Sequence, residues 1–237
     1  MSVVEQIQST LASMESPKMA VALKKHFKAG PGQYACGDKF LGVEMSNQLD
    51  LAKKSYRSTS LSELSELLHN NIHEVRMTAL LILTIKFGEA KTEQDQQEIV
   101  DFYLDHLNAI NNWDLVDATA EKILGVYLIN RDRSLLVKLA KSKRLWRERL
   151  AVVTTLFFAK NNDFTTSFEL IKFFRGHPHP LIHQAVGKVM KEISKRDPQA
   201  ADKFLAEIYK KMSSGMMKQA ISGFGDERQK AYKLGSR

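Results

Sequence analysis

The sequence is short of residues that crosslink chains and of residues that interrupt helices. Among its 237 residues there is one cysteine, Cys36, so no disulfide can form within the chain. With no evident histidine partner, Cys36 reads as a small structural residue. Glycine and proline number only 12 and 5, which favours helices over an all-β architecture. No apolar run approaches the roughly 20 residues of a membrane span. Met1 to Lys25 mixes charged and apolar residues without a signal pattern, so a cytoplasmic location is expected, with no membrane contact. No glycine-rich phosphate loop of the P-loop or dinucleotide type is present. His177 and His179 lie on a proline-interrupted turn with no third ligand at a recognisable spacing, so no metal and no other cofactor is expected.

What is present is ordinary in amount and uneven in placement. Apolar residues make up 43% and charged residues 26%, as in a globular protein with a sizeable core. The formal net charge of +8 is divided unequally: residues 1–130 carry 12 Lys+Arg against 17 Asp+Glu, and residues 131–237 carry 23 against 10. An excess of that size in one half suggests a polyanionic partner, nucleic acid first, although a solvated basic surface has the same composition.

Residues 2–28 read as one or two helices. The stretch from Lys28 to Gly42 then holds four glycines and a proline, which marks a loop. Tyr34 and Phe40 flank Gly37-Asp38, so a small β-hairpin between residues 30 and 42 is an open reading. Such a loop could enter a groove of nucleic acid or merely connect two helices. Beyond Ser46, helical periodicity alternates with short polar breaks at Asn70-Asn71, Asn111-Asn112, Asn161 to Asp163, His177 to Pro180, Asp197-Pro198 and Ser213 to Gly215.

These helices repeat. A polar residue followed by small or apolar ones recurs after the breaks at Arg76, Asp117, Arg149, Gln184 and Lys218, at intervals of 41, 32, 35 and 34 residues. Two helices per period in the thirties to forties is the pattern of a HEAT or armadillo-type solenoid. The expected fold is therefore all-α, a single helical-repeat domain over residues 1–237. Its second helices would line a concave basic groove and present the five recurring residues there. Polar helix starts are common everywhere, and that competes with the groove assignment.

The stretch Asn111 to Glu121 organises the rest. Asn111 and Asn112 suit a helix N-cap, Asp114 suits the first turn, and Leu115, Val116, Ala120, Ile123, Leu124 and Tyr127 continue with helical spacing to Ile129. Trp113 and Asp117 are four apart, an aromatic plate one turn from a carboxylate on one face. Trp146 and Arg149 form a second pair in the next period.

Here the chain resembles a known family, the HEAT-like repeat alkylpurine DNA glycosylases (the AlkD-like proteins). The residues that carry the likeness are Trp113-Asp114-Leu115-Val116-Asp117 and Trp146-Arg147-Glu148-Arg149, supported by Ala185 to Glu192 and by Lys195-Arg196-Asp197-Pro198. The loop from Gly30 to Val43 looks like a segment of the wider DNA-alkylation-repair superfamily. The resemblance implies that Asp117 stabilises positive charge on the deoxyribose as an N-glycosidic bond breaks and positions water. It further implies that Trp113 packs on the sugar and that Arg149 holds a phosphate. N3- and N7-alkylpurines are cationic leaving groups, so electrostatic stabilisation of the sugar is the main demand on such a site. One position departs from the pattern: Lys188 stands where the family has a second tryptophan. That departure, with the glycine loop, resembles the AlkF-like branch, which is thought to bind DNA, branched DNA included, with little or no excision.

The expectations are accordingly a DNA-binding protein of base excision repair type, or a non-catalytic binder of DNA structure. Asp117, Trp113 and Arg149 are the candidate reactive residues, and Arg76, Arg147, Gln184, Lys188 and Lys218 the candidate DNA contacts. The partner is double-stranded DNA, branched or alkylated forms included, with no obligate protein partner.

Overall fold

The structure, a computed structural model, describes residues 1–235. It is all-α: fifteen α-helices and a few short 3₁₀ and π turns, with no strand among the described residues. The chain gathers into two compact units, Met1–Thr119 and Ala120–Arg237.

In the first unit the helices are α1 (Val3–Ser13), α2 (Pro17–His26), α3 (Met45–Ser55), α4 (Leu61–Leu68), α5 (His73–Glu89), α6 (Glu93–Asp105) and α7 (Trp113–Thr119). Several starts are written locally. Ser2 with Glu5, Ser60 with Glu63 and Thr92 with Asp95 each form a reciprocal capping box, which satisfies two otherwise unpaired backbone donors at a helix N-terminus. The centre of the unit is α5, whose residues from His73 to Leu83 are all buried. It is enclosed by α1, α3, α4, α6 and α7. Its run Ala79–Leu83 is apolar on every side, and such a run has nowhere to sit except inside.

The second unit opens with a π turn over Glu121–Gly125 and continues through α8 (Val126–Leu128), α9 (Ser134–Ala140), α10 (Leu145–Lys160), α11 (Thr165–Phe174), α12 (Pro180–Arg196), α13 (Pro198–Ile208), α14 (Ser214–Ala220) and α15 (Asp226–Leu234). Here α10, α12 and α14 lie side by side in sequence order. Against that layer α9 and α11 pack on α10, and α11 and α13 on α12. The expected tandem pairs are therefore present. Asp117, Arg149, Gln184 and Lys218 each fall on the fifth residue of their helix, and Arg76 on the fourth. Gly187 permits one close approach: a Cβ there would lie 2.9 Å from the Cβ of Gln219 on α14.

Two expectations change, and one helix lies outside them. Residues 30–42 form turns instead of a hairpin, and the pairing they make is one parallel bridge, Lys39 with Ile72. The reason is that residues at and just before the start of α5 take up the loop's polar groups: Lys39 N–H donates to the Asn71 carbonyl oxygen, and His73 N–H to that of Lys39. The helix expected over 113–129 stops at Thr119 and resumes after the π turn. The Thr119 hydroxyl is already bonded to the Leu115 carbonyl oxygen and to Tyr103, and Gly125 N–H reaches back five residues to Ala120. Finally, α15 has too little apolar periodicity to be read from sequence. It is held by buried Tyr232 and by Arg228 paired with Asp202.

Candidate nucleic-acid interface

The first cluster belongs to unit 1 and surrounds the start of α7. Trp113 is half-buried. Its ring meets His26 edge-on at 5.6 Å and Phe27 at 5.5 Å. Phe27 and Phe40 each stack on His73, at 4.8 and 5.0 Å. Contacts of this kind add to burial, so the tryptophan is seated on a fixed aromatic base. Asp117 is half-buried one turn further along α7. Asn112, fully buried, accepts from Trp113 N–H at 2.8 Å and donates to the Phe27 carbonyl at 3.2 Å. The expected cap thus also ties α7 to the end of α2.

Beneath this base runs a buried ionic network that sequence reasoning missed. His73 Nε2 lies 2.7 Å from Asp114 and its Nδ1 3.5 Å from Asp38. The second contact is an ion-pair distance without hydrogen-bond geometry. Burial by itself lowers the pKa of His73, but the bond to Asp114 and the nearness of Asp38 outweigh it and hold the imidazole above its ordinary value. Burial likewise pushes Asp38 up, and His73, Arg76 and Asn111 together bring it below the usual carboxylate range. Arg76 donates to Asp38 at 2.7 Å, to Asn111 at 2.9 Å and to the Asn70 carbonyl at 2.8 Å. Glu74 accepts from Leu41 and Gly42 N–H. Gly42 itself has φ +83°, and a Cβ there would lie 2.3 Å from the Ser16 carbonyl oxygen. The glycine loop is therefore strapped to α5 and holds up the start of α7. Asp38 inside the loop and His73 at a helix start were visible as letters, but nothing in their spacing announced that they meet.

Two of the expected contact residues turn inward. Arg76 is 4% exposed, within the network just described. Arg149 is 1% exposed and donates to the Leu181 carbonyl oxygen. A guanidinium sealed in protein must have its donors satisfied there, so neither residue presents a cation at the surface. Arg147 and Trp146, at the start of α10, are half-buried. Cys36 is exposed rather than packed.

The others turn outward, in unit 2. Gln184 and Lys188 are exposed on α12, and so are Lys191 and Lys195, which complete a row at spacings of four, three and four. Lys218 is exposed on the adjoining α14. Gln219, next to it, touches Gly187, next to Lys188, so the two cations flank one helix contact. The unit carries 24 Lys+Arg against 11 Asp+Glu. Lys191 and Lys195 were overlooked as contacts, although their helical spacing from Lys188 could have nominated them.

A family model described as DNA alkylation repair enzyme matches residues 7–224. The chain belongs to that family. The DNA alkylation repair fold is also found in a solved structure described as a predicted DNA alkylation repair enzyme from Enterococcus faecalis. That structure has a TM-score of 0.68 and 16% sequence identity, and the match covers 90% of this chain and 98% of the other. No curated protein matches the chain. No helix among the described residues is long and apolar enough to cross a membrane, and no group of three or more His, Cys, Asp or Glu among them could hold a metal.

Proposed function

We propose that this member of the DNA alkylation repair family binds duplex DNA without reading its sequence, and that the basic layer of unit 2 supplies the grip. The exposed row Gln184, Lys188, Lys191 and Lys195, with Lys218 beside it, carries this reading. From Lys188 to Lys195 the helix advances about 10 Å, long enough to meet more than one phosphate of a strand that presents one every ~3.4 Å of duplex axis. Lysines on phosphate position a protein and carry no base information. Fluorescence anisotropy on blunt duplex is the test. Lys188→Glu with Lys191→Glu should weaken binding strongly, and Lys53→Glu, an exposed charge change in unit 1, should not. Equal effects from the two would remove α12 as the contact.

Excision of a cationic alkylpurine is the second reading, favoured by the half-buried pair Trp113 and Asp117 on a rigid aromatic base. In that reaction the C1′–N bond breaks and its electron pair leaves with the base, which becomes neutral. Water then adds to C1′ and gives up a proton. Asp117 would stabilise the cationic sugar and Trp113 would face it. Lys188 stands where the family likeness leads one to expect a second tryptophan, so slow or absent release is the expected result. Release of N3-methyladenine and N7-methylguanine from methylated duplex decides this. Loss of release in Asp117→Asn supports excision. No release from the natural protein or from Lys188→Trp, with duplex binding kept, leaves the binding reading alone.

A further inference from the structure

Unit 2 holds an open cavity of about 870 Å³ that the readings above do not use. It lies where three successive pairs turn from their first helix to their second. Lys141 and Lys143 come from the α9–α10 turn, Arg175 from the α11–α12 turn, and Lys211 from the end of the α13 segment. All four are exposed, and among the described residues no carboxylate lies within ion-pair distance of them. One wall is Phe173, 51% exposed and set edge-on against buried Phe174 at 5.0 Å. The carboxylate in the lining is Glu148, 3.2 Å from His177.

The turns that carry these groups are fixed. Ser213 N–H donates to the Arg175 carbonyl oxygen at 3.2 Å, and His183 Nε2 lies 2.6 Å from the His177 carbonyl oxygen. Lys143 sits at φ +56°, a conformation that costs a side-chain-bearing residue free energy and persists where surrounding structure imposes it. A large apolar ring offered to solvent beside four cations is poor design for a plain solvated surface. It matches the way proteins hold single strands, with cations tracking the backbone and an aromatic face taking a base.

We propose that this cavity binds an unpaired nucleotide of a DNA strand, its base stacked on Phe173 and its flanking phosphates on Lys141, Lys143, Arg175 and Lys211. The volume suits one nucleotide and its neighbours' phosphates. A base inside an intact duplex has no free face to offer, so the cavity selects frayed, overhanging or gapped DNA. The proposal takes from the preceding section only that the polymer is DNA.

The experiment compares a labelled short oligothymidylate with a blunt duplex by fluorescence anisotropy, using the full chain. Phe173→Ala should weaken oligothymidylate binding about tenfold, and Phe173→Trp should restore it. Lys143→Glu with Lys211→Glu should weaken it further and flatten its salt dependence. Blunt-duplex binding should stay within twofold in all three, while Lys188→Glu should show the opposite pattern. Thermal melts keep a folding defect from passing as lost binding. Oligothymidylate binding that depends on Phe173, with no duplex binding at all, would sustain this cavity and sink the duplex reading. Duplex binding with no oligothymidylate binding, or with oligothymidylate binding indifferent to Phe173 and both lysines, would overturn the cavity. Binding to neither would overturn both.

Discussion

At the scale of single residues, the two arginines of the recurring slot behave as structure. Arg149→Ala removes a guanidinium 1% exposed and strands the groups it serves, the Leu181 carbonyl among them. Leaving a buried acceptor unsatisfied costs about 1–3 kcal/mol, and Arg76→Ala should cost more, about 3–5 kcal/mol, by leaving Asp38 uncompensated. Urea denaturation should show both losses. Duplex affinity, corrected for the folded fraction, should stay within a factor of a few. If Arg149→Ala instead cut affinity with its urea midpoint unmoved, Arg149 would have to be reaching DNA. That these side chains are inside was not legible in the sequence. Arg149, Gln184 and Lys218 share a register and Arg76 is one residue off it, but register fixes position along a helix and not the chemistry packed against it.

At the scale of elements, the loop from Gly30 to Gly42 and the start of α7 are joined through His73. Its pKa is raised in the folded protein, so protonated His73 binds Asp114 and Asp38 better than water binds it. That stabilisation is complete below the ordinary imidazole value, about 6.5, and is lost as pH rises through the higher folded value. Asp38, Asp114, Arg76 and Glu74 are the charged groups around it. Stability measured by denaturant should therefore fall from mildly acidic to mildly alkaline pH. His73→Gln should be less stable in acid and should flatten this fall. An identical pH slope in the variant would mean that His73 is not the titrating group. The α12–α14 contact offers a second case. Gly187→Val would place a Cβ within 2.9 Å of Gln219, and overpacking of this kind costs about 1–3 kcal/mol. Because Lys218 follows α14, duplex binding should weaken along with the melting temperature. Intact binding and an unmoved melt would show that α14 shifts without strain.

At the scale of the whole molecule, the two units differ in sign: 11 Lys+Arg against 16 Asp+Glu in the first, 24 against 11 in the second. An electrostatic grip by the second unit has a thermodynamic signature, because each neutralised phosphate releases about 0.9 counterion from duplex DNA. Replacing Lys188, Lys191 and Lys195 together with alanine should lower the slope of log affinity against log salt by about two to three. The counterpart change of Lys18, Lys24 and Lys53 in the first unit should leave it unchanged. Equal slopes in the two triple variants would spread the interaction over the whole surface and undo the assignment to α12.

The sequence by itself determined the all-α class, the tandem pairing and most helix limits. Those follow from local causes: 3.6-residue apolar periodicity and polar breaks between helices. It also determined the family likeness through Trp113 to Asp117, and the excess of positive charge in the second half. Tertiary structure alone decided which polar residues face water. Arg149 and Gln184 look alike in register, yet one is enclosed and bonded to the Leu181 carbonyl oxygen and the other is exposed on α12. It alone brought Asp38 to Arg76 and His73, thirty-five or more residues away, and Lys211 to Arg175. Contacts between residues so far apart in the chain depend on how helices pack in three dimensions, and no local pattern of letters records that.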